Sequence, residues 1–196
     1  LMDSDMAIDF SSPDSAVDNI HKAFKANVPI VVGTTGWNKD FDKVKNWCNE
    51  YNGAILPSSN FSLGVNIFFE MNRQLSKIMN RQKSYSAKIR ETHHTEKVDS
   101  PSGTAITTAE IILEEMDHYS NWVSNTSNYG NKLPIIAKRQ AGVAGTHQVI
   151  YESNIDELSI SHRAKNRDGF AIGAIIAAEF LYNKKGLFSM KDVVKF

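Results

Sequence analysis

The 196 residues predict an α/β half followed by an α+β half. Two patterns carry this expectation. Up to Pro57, short apolar runs of strand type alternate with amphipathic segments at helical spacing. That order argues a parallel sheet with crossover helices, or half of a doubly wound nucleotide-binding fold. Beyond Ser86, apolar–polar alternation recurs in several segments with few helices between them, the mark of antiparallel strands under one helical layer.

The elements follow in order. Met6–Phe10 reads as a buried strand, and Leu1-Met2-Asp3 before it has neither helix nor turn logic. Ser12 is an N-cap with Pro13 at the first helical position. Val17, Ile20, Ala23 and Phe24 mark that helix's buried face. Val28–Val32 is a strand, closed by the tight loop Gly33-Thr34-Thr35-Gly36. A second helix carries Phe41, Val44, Trp47 and Cys48, and Ala54–Leu56 is a third strand ended by Pro57. From Gly64 a third helix presents Ile67, Phe68, Met71, Leu75 and Ile78.

Ser86–Arg90 alternates like a short strand, and Ala105–Met116 has helical spacing. Asp117–Pro134 is polar and reads as a surface excursion, where Trp122 is either a partner contact or a local plug. Ile135–Lys138, Val149–Ser153 and Glu157–Arg163 are further strands. Gly169–Leu181, rich in alanine and glycine, predicts a closely packed, buried helix. Lys184–Phe188 reads as a C-cap and a docking tail.

Composition narrows the function. Net charge is zero, which gives no bulk attraction to nucleic acid or membrane. The apolar fraction of 41% suffices for a packed core, and no apolar run reaches membrane-spanning length. Cys48 is the only cysteine, which excludes an internal disulfide and fits a reducing cytoplasm. It sits beside Trp47 in a helical pattern and reads as core.

The chemistry is concentrated in Glu91–Ala105, Glu-Thr-His-His-Thr-Glu-Lys-Val-Asp-Ser-Pro-Ser-Gly-Thr-Ala. Pro101 forbids a continuous helix and pushes Ser100 to an extended conformation. Ser102 is a natural N-cap, so Gly103 and Thr104 offer backbone N–H groups at the positive end of a helix dipole. Lys97 adds a fixed charge, and His93 and His94 exchange protons near neutrality. The stretch reads as a seat for a carboxylate or phosphate beside a proton donor. The plainer alternative, exposed histidines and an ordinary helix cap, stays open on these residues alone. A metal site is not expected, because adjacent histidines lack ligand spacing and carboxylates are few.

Glu91-x-His93-His94-x-x-Lys97-x-Asp99-x-Pro101-Ser102-Gly103-Thr104-Ala105 closely resembles the catalytic motif of the 4-hydroxy-tetrahydrodipicolinate reductase family, long called dihydrodipicolinate reductase. So many fixed positions are far more specific than a lone glycine motif. The resemblance extends to Asp9-Phe10-Ser11, Gly33-Thr34-Thr35-Gly36, Ser59-Asn60-Phe61-Ser62, Gly64-Val65-Asn66, Arg139, Gly145-Thr146, His162 with Arg167, and Gly186 to Val194.

It implies hydride transfer from NADH or NADPH to a small cyclic, unsaturated dicarboxylate, giving tetrahydrodipicolinate, in the diaminopimelate route to lysine. It implies His93 as proton donor or acceptor and Lys97 as a proton-donating or polarising cation. His94 falls at a substrate-binding position, Gly103 and Thr104 cradle a carboxylate, and Arg167 lies near the active site. Gly33, Thr34 and Thr35, with Ser58, Ser59, Asn60 and Phe61, match loops that contact the nicotinamide half of the cofactor.

The implied fold is a partial Rossmann-type domain and a mixed-sheet substrate and oligomerisation domain, usually assembled as a homotetramer through the β-rich segments after Arg139. The expected division is 1–62 for the dinucleotide-binding part, 63–176 for substrate binding and oligomerisation, and 177–196 for a helix end and tail docking on the first.

The Gly-x-Gly-x-x-Gly turn that holds a pyrophosphate in such folds is absent from these residues. In the resembling family it lies upstream of the Asp9-Phe10-Ser11 strand, and the expectation is that the segment carrying it has been lost. Two rivals therefore remain. One is an inactive dicarboxylate-binding or scaffold homologue; the other is a homoserine-type dehydrogenase, disfavoured by the two-histidine, lysine, Ser-Gly-Thr grouping.

Overall fold

The structure, a computed structural model, describes residues 3–125 and 130–195. Leu1, Met2 and part of the Asp117–Pro134 excursion lie outside these. The chain divides into two compact units, Leu1–Asn66 with Asp168–Phe196, and Ile67–Arg167.

In the first unit, β1 (Ala7–Asp9), β2 (Ile30–Val32), β3 (Ala54–Pro57) and β9 (Gly186–Leu187) form a sheet in that order, every pair parallel. Helices α1 (Pro13–Lys25) and α2 (Phe41–Glu50) supply the crossovers. β2 is buried at all three residues, as a parallel strand covered on both faces must be. Ile30 and Val32 join Ile20, Phe24, Val44, Cys48 and Ile55 on one side. Val31 joins Leu56, Phe61, Ala174, Ala177 and Leu181 on the other. Cys48 is core, as expected, and burial pushes its thiol pKa up.

Three expectations change here. Among the described residues β1 lies at the edge of the sheet, with Ile8 and Phe10 46% and 60% exposed, where a strand buried throughout was expected. Helix α5 (Asp168–Leu181) is not buried all round: Gly173, Ala174, Ala177, Ala178 and Leu181 face inward while Ile172 and Ile175 stay more than half exposed. The tail is not a simple C-cap. The left-handed residue after α5 is Asn183, and Gly186–Leu187 goes on as β9 against β3 before the short helix α6 (Met190–Val194).

The small-residue stripe of α5 has a specific cause. A Cβ on Gly173 would lie 1.8 Å from the Phe61 carbonyl oxygen. Backbone cannot yield as a flexible side chain can, so Gly173→Ala is expected to destabilise this unit by about 1–3 kcal/mol. Urea unfolding followed by Trp37 and Trp47 fluorescence checks it; an unchanged midpoint would contradict so close an approach.

The second unit is a mixed sheet in the order β5 (Asn121–Ser124), β6 (Lys132–Arg139), β4 (Ser86–His93), β7 (Gly145–Glu152), β8 (Glu157–Ala164). The first three strands are parallel neighbours, and β7 and β8 pair antiparallel. α4 (Gly103–Glu115) and the body of α3 (Leu63–Met79) supply the helices.

The expected apolar face of α3 is rotated. Ile67, Met71 and Ile78 are exposed, and the buried face carries Phe68, Asn72, Ser76 and Met79. Its two polar members each make a hydrogen bond, though the Asn72 side-chain oxygen has none among the described residues. Asn72 Nδ2 donates to the Thr108 carbonyl at 3.0 Å, and Ser76 Oγ lies 2.9 Å from the Tyr151 hydroxyl. β5 lies inside the excursion expected to be irregular, and Trp122 on it packs against the core, which settles the choice in favour of a plug.

Candidate active site

β4 runs three residues further than the alternation Ser86–Arg90 predicts, to His93. That extension builds the site. Strand residues alternate faces, so Ala87, Ile89, Glu91 and His93 all point inward. Ala87 and Ile89 belong to the apolar core; Glu91, 1% exposed, puts a carboxylate at its edge. Register then fixes its neighbours: Glu91 lies opposite His147 on β7, and His93 opposite Arg139 on β6.

Glu91 is held from the far end of the loop. Ser102 N–H donates to Oε1 at 3.0 Å, and Ser102 Oγ donates to Oε2. Arg139 Nη1, His93 Nδ1 and His147 Nε2 surround it at 3.7, 3.4 and 3.6 Å. Burial alone would raise the Glu91 pKa, but the contacts from His147 and Ser102 outweigh it and hold the group at about 2.

Proton counting assigns the rest of the network. Ser102 Oγ has one proton, and an ionised carboxylate only accepts, so that proton goes to Glu91. The same oxygen accepts from Ala105 N–H at 3.2 Å, capping α4 as the sequence predicts. It also lies 3.1 Å from His147 Nε2, which must therefore be the donor.

His93 packs edge-on against His147, with ring centroids 4.9 Å apart. Its Nδ1 faces Glu91, and its Nε2 lies over Gly145, where a Cβ would come within 3.2 Å. Desolvation first, then the charge of His147, lowers the His93 pKa to about 4, with Lys97 and Arg139 adding to the shift and Glu91 opposing it. His93 is thus neutral at pH 7.

The cationic loop is clamped by its backbone. Arg139 Nε donates to the Lys97 carbonyl at 3.2 Å and Nη2 to the Asp99 carbonyl at 2.5 Å. Lys97 Nζ lies 2.6 Å from Asp99 Oδ1. Ser100–Pro101 is a cis peptide. Gly103 and Thr104 open α4, at the positive end of its dipole. A Cβ on Gly103 would meet nothing within 4 Å, so the approach to its amide is open. His94 is half-buried beside this loop in sequence. Arg167 lies exposed in the bend between β8 and α5.

Glu91, Arg139 and His147 were given no chemical role by sequence reasoning. Glu91 and Arg139 stood among the residues of the family resemblance without a role, and the alternation of β4 continuing past Arg90 was a further signal for Glu91; nothing marked His147. Glu91, His93 and His147 also bring three donor atoms within 4.8 Å of one another, near enough for a metal ion. The Ser102 hydrogen bonds already occupy the carboxylate, and the Arg139 guanidinium sits where a cation would be repelled.

The other predicted residues lie in the first unit. A pocket of about 260 Å³ at the carboxyl ends of β1 and β2 is lined by Phe10, Ser11, Pro13, Gly33, Thr34 and Thr35. Asp9 organises it, accepting from Thr34 Oγ1 at 2.6 Å, Ser11 Oγ at 2.9 Å and Asn19 Nδ2 at 2.8 Å. A Cβ on Gly33 would lie 2.0 Å from the Phe10 ring, so that backbone stays bare.

An open pocket lined with short hydroxyls and bare backbone at parallel strand ends fits part of a dinucleotide. In the next loop, Ser58 Oγ donates to the Asn60 carbonyl at 2.8 Å, and Ser59 is exposed. The Phe61 side chain is 2% exposed in the core cluster, which gives its ring a packing role and leaves only its backbone for a ligand.

Two family models match end to end. "Dihydrodipicolinate reductase, N-terminus" covers residues 1–61, and "Dihydrodipicolinate reductase, C-terminus" covers residues 64–194. The chain belongs to the dihydrodipicolinate reductase family. A 4-hydroxy-tetrahydrodipicolinate reductase of Christiangramia forsetii is 50% identical over 190 residues, 97% of this chain and 79% of that one. The Methanopyrus kandleri enzyme of that name is 36% identical over 198 residues, 98% of this chain and 72% of the relative.

A dipicolinate-bound dihydrodipicolinate reductase from Paenisporosarcina sp. TG-14 superposes with a TM-score of 0.80 at 21% identity, over 96% of this chain and 72% of that one, which shows the shared fold. Among the described residues, no helix is long and apolar enough to cross a membrane.

Proposed function

We propose that this reductase-family chain reduces 4-hydroxy-tetrahydrodipicolinate to tetrahydrodipicolinate with NADH or NADPH, in lysine biosynthesis through diaminopimelate. The match to both family halves carries the reading. It disfavours the inactive-scaffold and homoserine-type alternatives, as does an intact loop carrying the histidines, the lysine and the helix start.

The residues take these roles. Gly33, Thr34, Thr35, Ser58, Ser59 and Asn60, with the Phe61 backbone, contact the nicotinamide half of the cofactor, which when bound supplies the hydride. Gly103 and Thr104 amides, aided by the α4 dipole, receive one ring carboxylate, and His94 and Arg167 contribute to holding the dianion. As hydride enters the ring, electron density moves to a neighbouring atom that must be protonated.

Lys97 is the better immediate proton source, because a neutral His93 has only a weakly acidic N–H to offer. His93 Nε2 accepts or relays the proton, and a bound dianion would raise its basicity. One hydride and one proton enter the ring; the hydroxylated form of the substrate also loses water.

We also propose a cytoplasmic homotetramer without nucleic-acid or membrane partners. β8 supports the assembly: it is an edge strand with Leu158 and the preceding Ile155 exposed at 45% and 92%, surface that a second copy would cover. The activity test is loss of nicotinamide absorbance by the full-length protein with enzymatically generated substrate. Cofactor oxidation dependent on that substrate is expected; none with either cofactor would refute the reading.

A further inference from the structure

The loop between β4 and α4 has to present two things at once, an amide cradle and a correctly oriented imidazole, and its two ends meet at one side chain. We infer that Glu91 is the positioning residue for both: through Ser102 it fixes where α4 begins, and by its charge beside His93 Nδ1 it sets the tautomer and basicity of the imidazole. The inference deepens the proposed reading and rests on its assignment of His93 to proton exchange.

The geometry carries it. Glu91 is the fully buried carboxylate at the edge of the core, and both of its oxygens are engaged by Ser102, eleven residues along the chain. Between these partners lies the cationic stretch itself, His94, Lys97 and Asp99. With Ser102 N–H and Oγ–H both committed to Glu91, the start of α4 is placed by these two bonds, and with it the amide of Gly103 at the positive end of the helix dipole.

On the other side, the carboxylate lies 3.4 Å from Nδ1 without a formed hydrogen bond, and its charge there favours the Nδ1–H tautomer, with the lone pair on Nε2, over Gly145. A carboxylate so placed stabilises the protonated imidazole through its charge. A charge here is otherwise costly. Glu91 brings a negative charge next to a seat for a dianion, so its presence is not explained by substrate affinity.

Two substitutions separate the halves. Glu91→Gln keeps an oxygen for Ser102 N–H, the bond that places the start of α4, while the charge and the acceptor of the Ser102 Oγ proton are lost. In the full-length enzyme kcat should fall about 10- to 100-fold, the worth of a buried negative charge beside the imidazole, with KM for the ring acid unchanged or lower. In a His93→Gln background the same change should cost less than about threefold, because the two residues act as one unit.

Wild-type turnover in Glu91→Gln, or the same loss in both backgrounds, would overturn the inference. Wild-type turnover in His93→Gln alone would instead overturn the assignment of His93. Should Glu91→Gln fail to fold, Ser102→Ala tests the other link. It should raise KM about tenfold with kcat kept, Ser102→Thr should restore it, and an unchanged KM in Ser102→Ala would overturn the inference.

Discussion

Lys97→Ala in the full-length enzyme is expected to lower turnover by about 10²–10⁴-fold, the range for losing a general acid or a charge that stabilises the transition state. Its cost to stability should be small. The ion pair with Asp99 is partly exposed, with the carboxylate side chain at 56%, and such pairs contribute no more than about 1 kcal/mol. The loop is instead held through its carbonyls by Arg139, which the substitution leaves alone. A second effect follows from the charges: removing the ammonium leaves Asp99 unpaired beside a dianion seat, so KM should rise as kcat falls. Lys97→Arg keeps the charge but cannot give up a proton, and should recover KM better than kcat. Steady-state kinetics on the three enzymes, with melting curves as control, decide it. Ordinary turnover by Lys97→Ala would remove the role assigned to this residue.

The loop was legible because its signals are local. A proline after an extended residue, a serine N-cap and two amides need only neighbours in sequence, and α4 begins where they place it. The parallel sheet was legible for a related reason: fully buried strands such as Ile30–Val32 read as unbroken apolar runs. Long-range burial was not legible. Whether Ile8 or Ile175 is covered depends on what lies across from it, and an apolar side chain does not record whether its partner exists. The α3 face failed the other way, since Asn72 and Ser76 are buried by partners 36 and 75 residues distant. Glu91 combines both difficulties. Its burial follows from strand alternation, but its stability as an ion depends on Ser102, Arg139 and His147, which only sheet register and loop closure bring to it.

Acidification should weaken the second unit in two successive windows, by opposite chemistry. His93 is neutral in the fold, with a pKa of about 4 against an ordinary 6.5, so the unfolded chain takes up a proton that the folded site refuses. Stability is therefore full above about 6.5 and falls as pH drops towards 4. Glu91 is ionised in the fold, with a pKa of about 2 against 4.5, so its contribution is present above about 4.5 and is lost as pH falls towards 2. Both side chains are almost wholly buried, and each window is worth on the order of 3 kcal/mol. The Glu91 charge already opposes the downward shift of His93, so the upper window would be deeper without it. Urea midpoints measured from pH 8 to pH 3 should decline through both ranges in the parent protein. In His93→Gln the decline between pH 6.5 and 4.5 should flatten while the lower one persists; equal slopes in the upper range would show that His93 is not the buried neutral base the geometry makes it.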